Sequence, residues 1–169
     1  MELHATPYVS YDGFSGFFFK SYEEFKSKYD AWYQENGCEE YDIDFIDGDE
    51  AEQALFKFMG VHQGNVKEVF EESEENYSIQ DLVKLTHLIE YCAYSFEDAK
   101  DKMPDVELYQ GKALDYVYEY IDECHSDMPA FCKTYFDYES FLNDLRCNSE
   151  VIEYTLYGED WTITNALHI

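Results

Sequence analysis

Glu39 to Glu52 reads EEYDIDFIDGDEAE, eight carboxylates in fourteen residues with no basic residue among them. Within it Tyr41, Ile43 and Phe45 alternate with Asp42 and Asp44. A period of two marks a strand with one face on a core and one face in water. This stretch decides the fold class, because helical patterns flank it on both sides. Upstream, Ser21 followed by Glu24 is a capping-box pattern, and Tyr22, Phe25, Tyr29, Trp32 and Tyr33 recur at helical spacing as far as Gly37. Further upstream, YVSY (8–11) and GFFFK (16–20) read as two short strands joined around Asp12-Gly13.

Downstream the pattern is helical to about Met103. Leu55, Phe58 and Met59 form one apolar face before Gly60, and Val66, Val69 and Phe70 form another inside the acidic run VKEVFEESEE. Ser78 with Asp81 is placed to cap a third helix carrying Ile79, Leu82, Leu85, Leu88, Ile89 and Cys92, and Phe96 with Ala99 suggests a short fourth. Met103-Pro104 marks a boundary. Beyond it VELYQ reads as a strand and ALDYVYEYIDEC as a helix with Ala113, Val117, Tyr120, Ile121 and Cys124 inward. Pro129 is placed to open a helix at its first position, Asp137 to cap another, and VIEYTLYGEDWTIT reads as a closing hairpin. The expected fold is α+β in three parts. Residues 1–48 form an N-terminal α+β part, 49–103 a central helical part, and 104–169 a C-terminal α+β part with the hairpin.

The chain has 169 residues, 38 of them acidic against 11 basic, for a formal net charge of -27; Arg146 is the only arginine. Aromatics reach 19%, including 17 Tyr and 13 Phe, which separates it from aromatic-poor disordered acidic chains. Duplex DNA carries one charge per ~1.7 Å of axis, so this charge equals that on roughly 46 Å of duplex. Nucleic acid and anionic membranes are therefore excluded as partners, and strongly basic clefts are favoured. Five cysteines with no C-x-x-C pair suit reduced thiols. MELHATPY lacks the basic and apolar regions of a signal peptide, and no apolar run approaches the ~18 residues of a membrane span. A cytoplasmic protein is expected.

Calcium is the first chemistry to test against the opening stretch. With Gly48 as the glycine of an EF-hand loop, Ile43, Phe45 and Ala54 fall on three ligand positions. The five histidines are scattered without zinc-site spacing. No cofactor or metal is expected, and a packing role is expected for all five cysteines. A carboxylate-pair hydrolase stays open, since so many acids always include a suitable pair. A different use of the same groups is a lattice of fixed charge. Asp42 and Asp44 on one strand face lie ~6.7 Å apart. Glu68 with Glu72, or Glu71 with Glu75, lie ~6 Å apart on a helix. Both spacings approach that of successive phosphates.

Two segments carry a family resemblance: Glu39 to Asp47, after the aromatic helix, and MPAFCKTYFDYESFLNDL (128–145). In the second, Pro129, Tyr135, Asp137, Tyr138, Phe141, Asp144 and Leu145 match an antirestriction motif that also includes Glu139. The chain resembles the ArdA antirestriction proteins. That resemblance implies a non-enzymatic, elongated DNA mimic, dimerising through its C-terminal part. It would occupy the DNA channel formed by the specificity and methyltransferase subunits of Type I restriction-modification enzymes. The surrogate phosphates would be Glu39, Glu40, Asp42, Asp44, Asp47, Asp49, Glu50, Glu68, Glu71, Glu72 and Glu75, with the motif at the dimer junction. A CRISPR effector, a nucleoid protein or a transcription factor is the alternative target.

Overall fold

The alternation of the opening stretch forms strand β3, Tyr41–Asp47. In this computed structural model, which describes residues 1–9 and 15–169, Tyr41 and Ile43 are buried while Asp42 and Asp44 are exposed. β3 pairs antiparallel with β1 (Glu2–Pro7), which pairs on its other side with β2 (Phe17–Phe19), so β1 is central and β3 an edge. Leu3, Ala5, Phe17 and Phe19 turn inward with Ile43 and meet Phe25 of helix α1 (Tyr22–Asn36) and Val66. Burying each large side chain of this set contributes about 1.5–3 kcal/mol.

The first strand lies earlier than the sequence pattern suggested. Tyr8 and Val9 of the expected YVSY strand are bent and exposed, while Ser10, Tyr11 and the Asp12-Gly13 turn lie outside the described residues. ELHATP holds Ala and Pro, weak strand formers, and its central position between two strands overrides that propensity. Phe17–Phe19 falls within the expected GFFFK strand.

Helix α1 starts and stops on its expected residues. Ser21 Oγ accepts the Glu24 N–H at 3.2 Å, but the Glu24 carboxylate reaches back to the N–H of Lys20, not of Ser21. Gly37, at φ 68°, closes the helix by donating its N–H to the Tyr33 carbonyl at 2.8 Å. That left-handed backbone would strain a side-chain-bearing residue. Helix α2 (Glu50–Phe58) opens on a complete capping box between Asp49 and Glu52, and α3 (Val66–Ser73) packs Val66 and Val69 inward.

Contacts group the chain into two compact units, Met1–Ser78 and Ile79–Ile169. Acidic residues divide evenly, 19 in each, against five basic residues in the first unit and six in the second. The division of the sequence at residue 48 falls between β3 and α2, and that at 103 falls in the 3-10 turn Met103–Asp105.

In the second unit, α4 (Ile79–Thr86) runs into a π-helical turn, His87–Tyr91, followed by α5 (Phe96–Lys102) and β4 (Leu108–Gln110). Leu82, Leu85 and Leu88 are buried as expected, but Val83, Thr86 and His87 are buried too. Ile79, placed inward by the periodicity, is 43% exposed, because it begins the helix ahead of the packed turns. Next come α6 (Ala113–Cys124), α7 (Ala130–Tyr135), α8 (Tyr138–Cys147), β5 (Ile152–Leu156) and β6 (Glu159–Ile163). Ala113, Val117 and Ile121 pack on Leu142 and Val151, whereas Cys124, the last residue of α6, is exposed.

The closing hairpin is present, turning at Tyr157 (φ 56°) and Gly158 (φ 76°), the two positive angles that match the twist of paired strands. β6 lies between β4 and β5. Among the described residues the architecture is α+β, with two three-stranded antiparallel sheets.

Candidate partner-binding face

The carboxylates of the opening stretch are fixed from behind. Tyr8 donates its N–H to the Glu40 carbonyl at 3.1 Å. The Gln63 amide grips the same corner twice, donating Nε2–H to the Glu39 carbonyl and accepting the Tyr41 N–H, both at 2.9 Å. With their backbone tied, Glu39 and Glu40 expose their side chains. Asp42 accepts the Ile43 N–H at 3.1 Å, and Asp44 accepts a long 3.4 Å bond from the Thr6 hydroxyl, which itself lies 3.0 Å from His4 Nδ1. Asp47, Asp49 and Glu50 continue the exposed run into α2. These seven residues form one acidic track on a strand edge and a helix start.

Gln63 carries no chemical signature in the sequence and shows its role only when the turn after α2 brings it against β3. Gln63→Ala removes two bonds at once, each worth about 1 kcal/mol. Expected is a loss of about 1–2 kcal/mol in urea unfolding. Faster amide exchange at Tyr41 should accompany it; unchanged exchange would refute the clamp.

The four α3 carboxylates behave differently from one another. Glu68 is exposed. Glu71 is taken up by Lys67 at 2.9 Å, a pairing that raises the Lys67 pKa, and Glu72 is half-buried and accepts a bond from the Tyr77 hydroxyl. Glu75 lies beyond the helix end at Ser73, so Glu71 and Glu75 are not a helical pair. After Phe70, which packs on the first core, the tail of VKEVFEESEE has no further apolar residue to extend the helix.

In the second unit the motif residues divide between scaffold and surface. Asp137 caps α8, accepting the Ser140 N–H at 2.9 Å and the Ser140 hydroxyl at 2.8 Å, bonds that hold its carboxyl below the usual range. Pro129 sits one residue before α7, at its cap position, not inside the helix. The Tyr138 ring packs tilted against Tyr118 at 4.3 Å and edge-to-face with Phe136 at 4.9 Å, while Phe141 and Leu145 are half-buried against the α6 core. Glu139, Asp144 and Tyr135, the last 86% exposed, face solvent. Phe131, one turn before Tyr135 on α7, is 68% exposed and escaped the sequence reading.

One polar cluster lies inside the second unit. His87 is fully buried, with Nε2 at 3.6 Å from Cys92 Sγ and Nδ1 at 3.1 Å from the Tyr154 hydroxyl; its ring stacks on Tyr91 at 5.3 Å. Burial lowers the His87 pKa, raises that of Cys92 and pushes Tyr154 up to about 12. All three are thus held neutral near pH 7. A histidine depressed in the fold destabilises it only where the unfolded form is protonated, so stability is lost as pH falls through the ordinary histidine range near 6.5. His87→Gln lacks this term. The stability gap between the native chain and the variant should narrow from pH 7.5 to 5.5 in thermal melts, and a constant gap would refute it.

Among the described residues, no group of three or more His, Cys, Asp or Glu side chains could hold a metal ion, and no helix is long and apolar enough to cross a membrane. Fold and face together define a class, a strongly anionic α+β protein whose carboxylates are anchored on strand edges and helix starts. The profile of the antirestriction protein (ArdA) family matches residues 8–158, and the chain belongs to that family. No curated protein and no solved structure matches it. Membership supports an antirestriction function directed at restriction-modification enzymes, in a family not known for catalysis.

Proposed function

We propose that the protein inhibits Type I restriction-modification enzymes by occupying their DNA channel as an anionic surrogate for bent duplex. The observation that carries this reading is the track from Glu39 to Glu50, whose first corner is tied by Gln63 and Tyr8 and whose strand is paired with β1 while its carboxylates stay in water. Fixed charges lose less entropy on meeting a basic channel than mobile ones, so a pre-formed lattice favours binding. Glu68 and Glu75 extend the anionic surface, with Glu71 and Glu72 contributing less because each already has a partner. The specificity and methyltransferase subunits supply the channel. A homodimer joined at the α7 end of the motif region, through exposed Tyr135 and Phe131, doubles the length of charge on offer. Action in the cytoplasm of a bacterial host follows from the target.

The test is ATP-dependent cleavage by a Type I enzyme at increasing protein. Inhibition at near-stoichiometric protein supports the reading. It should be relieved by excess duplex and weakened at least about tenfold between 50 and 200 mM salt, since the attraction is ionic. Inhibition indifferent to both DNA and salt would refute competition.

A further inference from the structure

The second unit holds a cleft of about 510 Å³ on the side where the motif residues of α8 meet α6 and the segment after β6. Its walls include Tyr116 and Tyr120 of α6 and Phe141 of α8. The Tyr120 and Phe141 rings are nearly parallel, 14° apart with centroids at 6.4 Å, and Tyr116 lies 5.9 Å from Tyr120. Glu107, Asp144 and Glu150 stand around the same space. No lysine or arginine among the described residues pairs with any of these three carboxylates; Glu150 has only the Asn148 amide, at 3.3 Å. Elsewhere the chain does spend its few cations on acids, as Lys133 on Asp122 at 2.6 Å and Arg146 on Glu153 at 2.7 Å.

Aromatic faces are electron-rich, and carboxylates beside them favour a cation that is itself flat and weakly hydrated. An ammonium meets the charge only as a compact, strongly hydrated point; a guanidinium meets it while also stacking by its plane on a ring and donating at its edge. We propose that this cleft receives a single arginine side chain of a partner protein, stacked beside Tyr120 and met by Glu107, Asp144 and Glu150. The occupant is a partner and not a second copy, because the only arginine of this chain, Arg146, is held by Glu153 through both Nε and a terminal nitrogen at 2.7 Å. The inference rests on the reading above for who the partner is, since a DNA channel is rich in arginine. It adds a discrete anchor to a surface otherwise binding by spread charge.

The probe is N-acetyl-arginine methylamide, titrated into the whole chain carrying 13C-labelled tyrosine rings, with the uncharged citrulline counterpart as control. Saturable shifts are expected at Tyr116 and Tyr120 with arginine and not with citrulline. Asp144→Asn combined with Glu150→Gln should raise the probe's Kd at least about fivefold. The rest of the tyrosine spectrum should stay unchanged in that variant, which establishes that it folds. Equal shifts with citrulline, shifts spread evenly over the tyrosines of both units, or an unaltered Kd in the double variant would each overturn the assignment. A protein that shows the localised response yet inhibits no Type I enzyme sinks the mimicry and leaves the cleft. One that inhibits but shows no localised response sinks the cleft alone.

Discussion

Changing Asp42 and Asp44 together to lysine is expected to weaken inhibition of a Type I enzyme by roughly ten- to a hundredfold, because it sets like charges against the basic channel proposed as the target. Both residues stand exposed on edge strand β3, and among the described residues the only side-chain bond lost to a neighbouring strand is the 3.4 Å contact from Thr6. Lysine is also well tolerated on an exposed sheet edge. The fold should therefore survive, with a thermal midpoint within a few degrees of the native value. Neutralising either aspartate alone should change inhibition by no more than about threefold, since one charge is a small part of a distributed surface. The contrast is the informative quantity. If one neutral substitution abolished inhibition, a single decisive residue would replace the track; a harmless double reversal would place the contact elsewhere.

The second large effect is on stability. Trp161 is 2% exposed on β6, flanked by strands on both sides, and its register partners are Gln110 on β4 and Tyr154 on β5. Trp161→Ala should cost about 3–5 kcal/mol through lost burial and the cavity left behind. For a unit of this size that lowers the thermal midpoint by about 10 °C or more. The indole Nε1 is buried without a hydrogen-bond partner among the described residues. Trp161→Phe surrenders area but also removes that unmet donor, so its cost should be less than half that of alanine. Calorimetry on both variants decides this, and equal costs would show that the indole N–H matters more than its surroundings suggest.

Legibility of the fold in the sequence followed where the physics was local. β3, the two ends of α1, the cap of α8 and the closing hairpin all depend on residues within a few positions of one another, and each was readable there. β1 was not, since nothing in ELHATP announces a central strand until β2 and β3 close on it. The end of α3 was over-extended for a similar reason, glutamates being good helix formers that had no inward neighbour to hold them. At the candidate site, the outward aspartates of β3 followed from alternation alone. The Gln63 clamp, the engagement of Glu71 and Glu72, and the cleft beside Phe141 all join residues distant in the chain or spend a charge on a neighbour. Composition shows how much charge there is, but only packing shows which of it remains available.

The strand order of the second sheet bears on how the protein is made. β4 and β5 touch only through β6, so no part of that sheet can pair until the last strand has been synthesised. The first sheet has all three strands by residue 47. Domains fold as units in the order they emerge during translation. The track-bearing unit can thus take shape on the ribosome while the second unit still waits, so a stalled or prematurely released chain would still present its acidic edge.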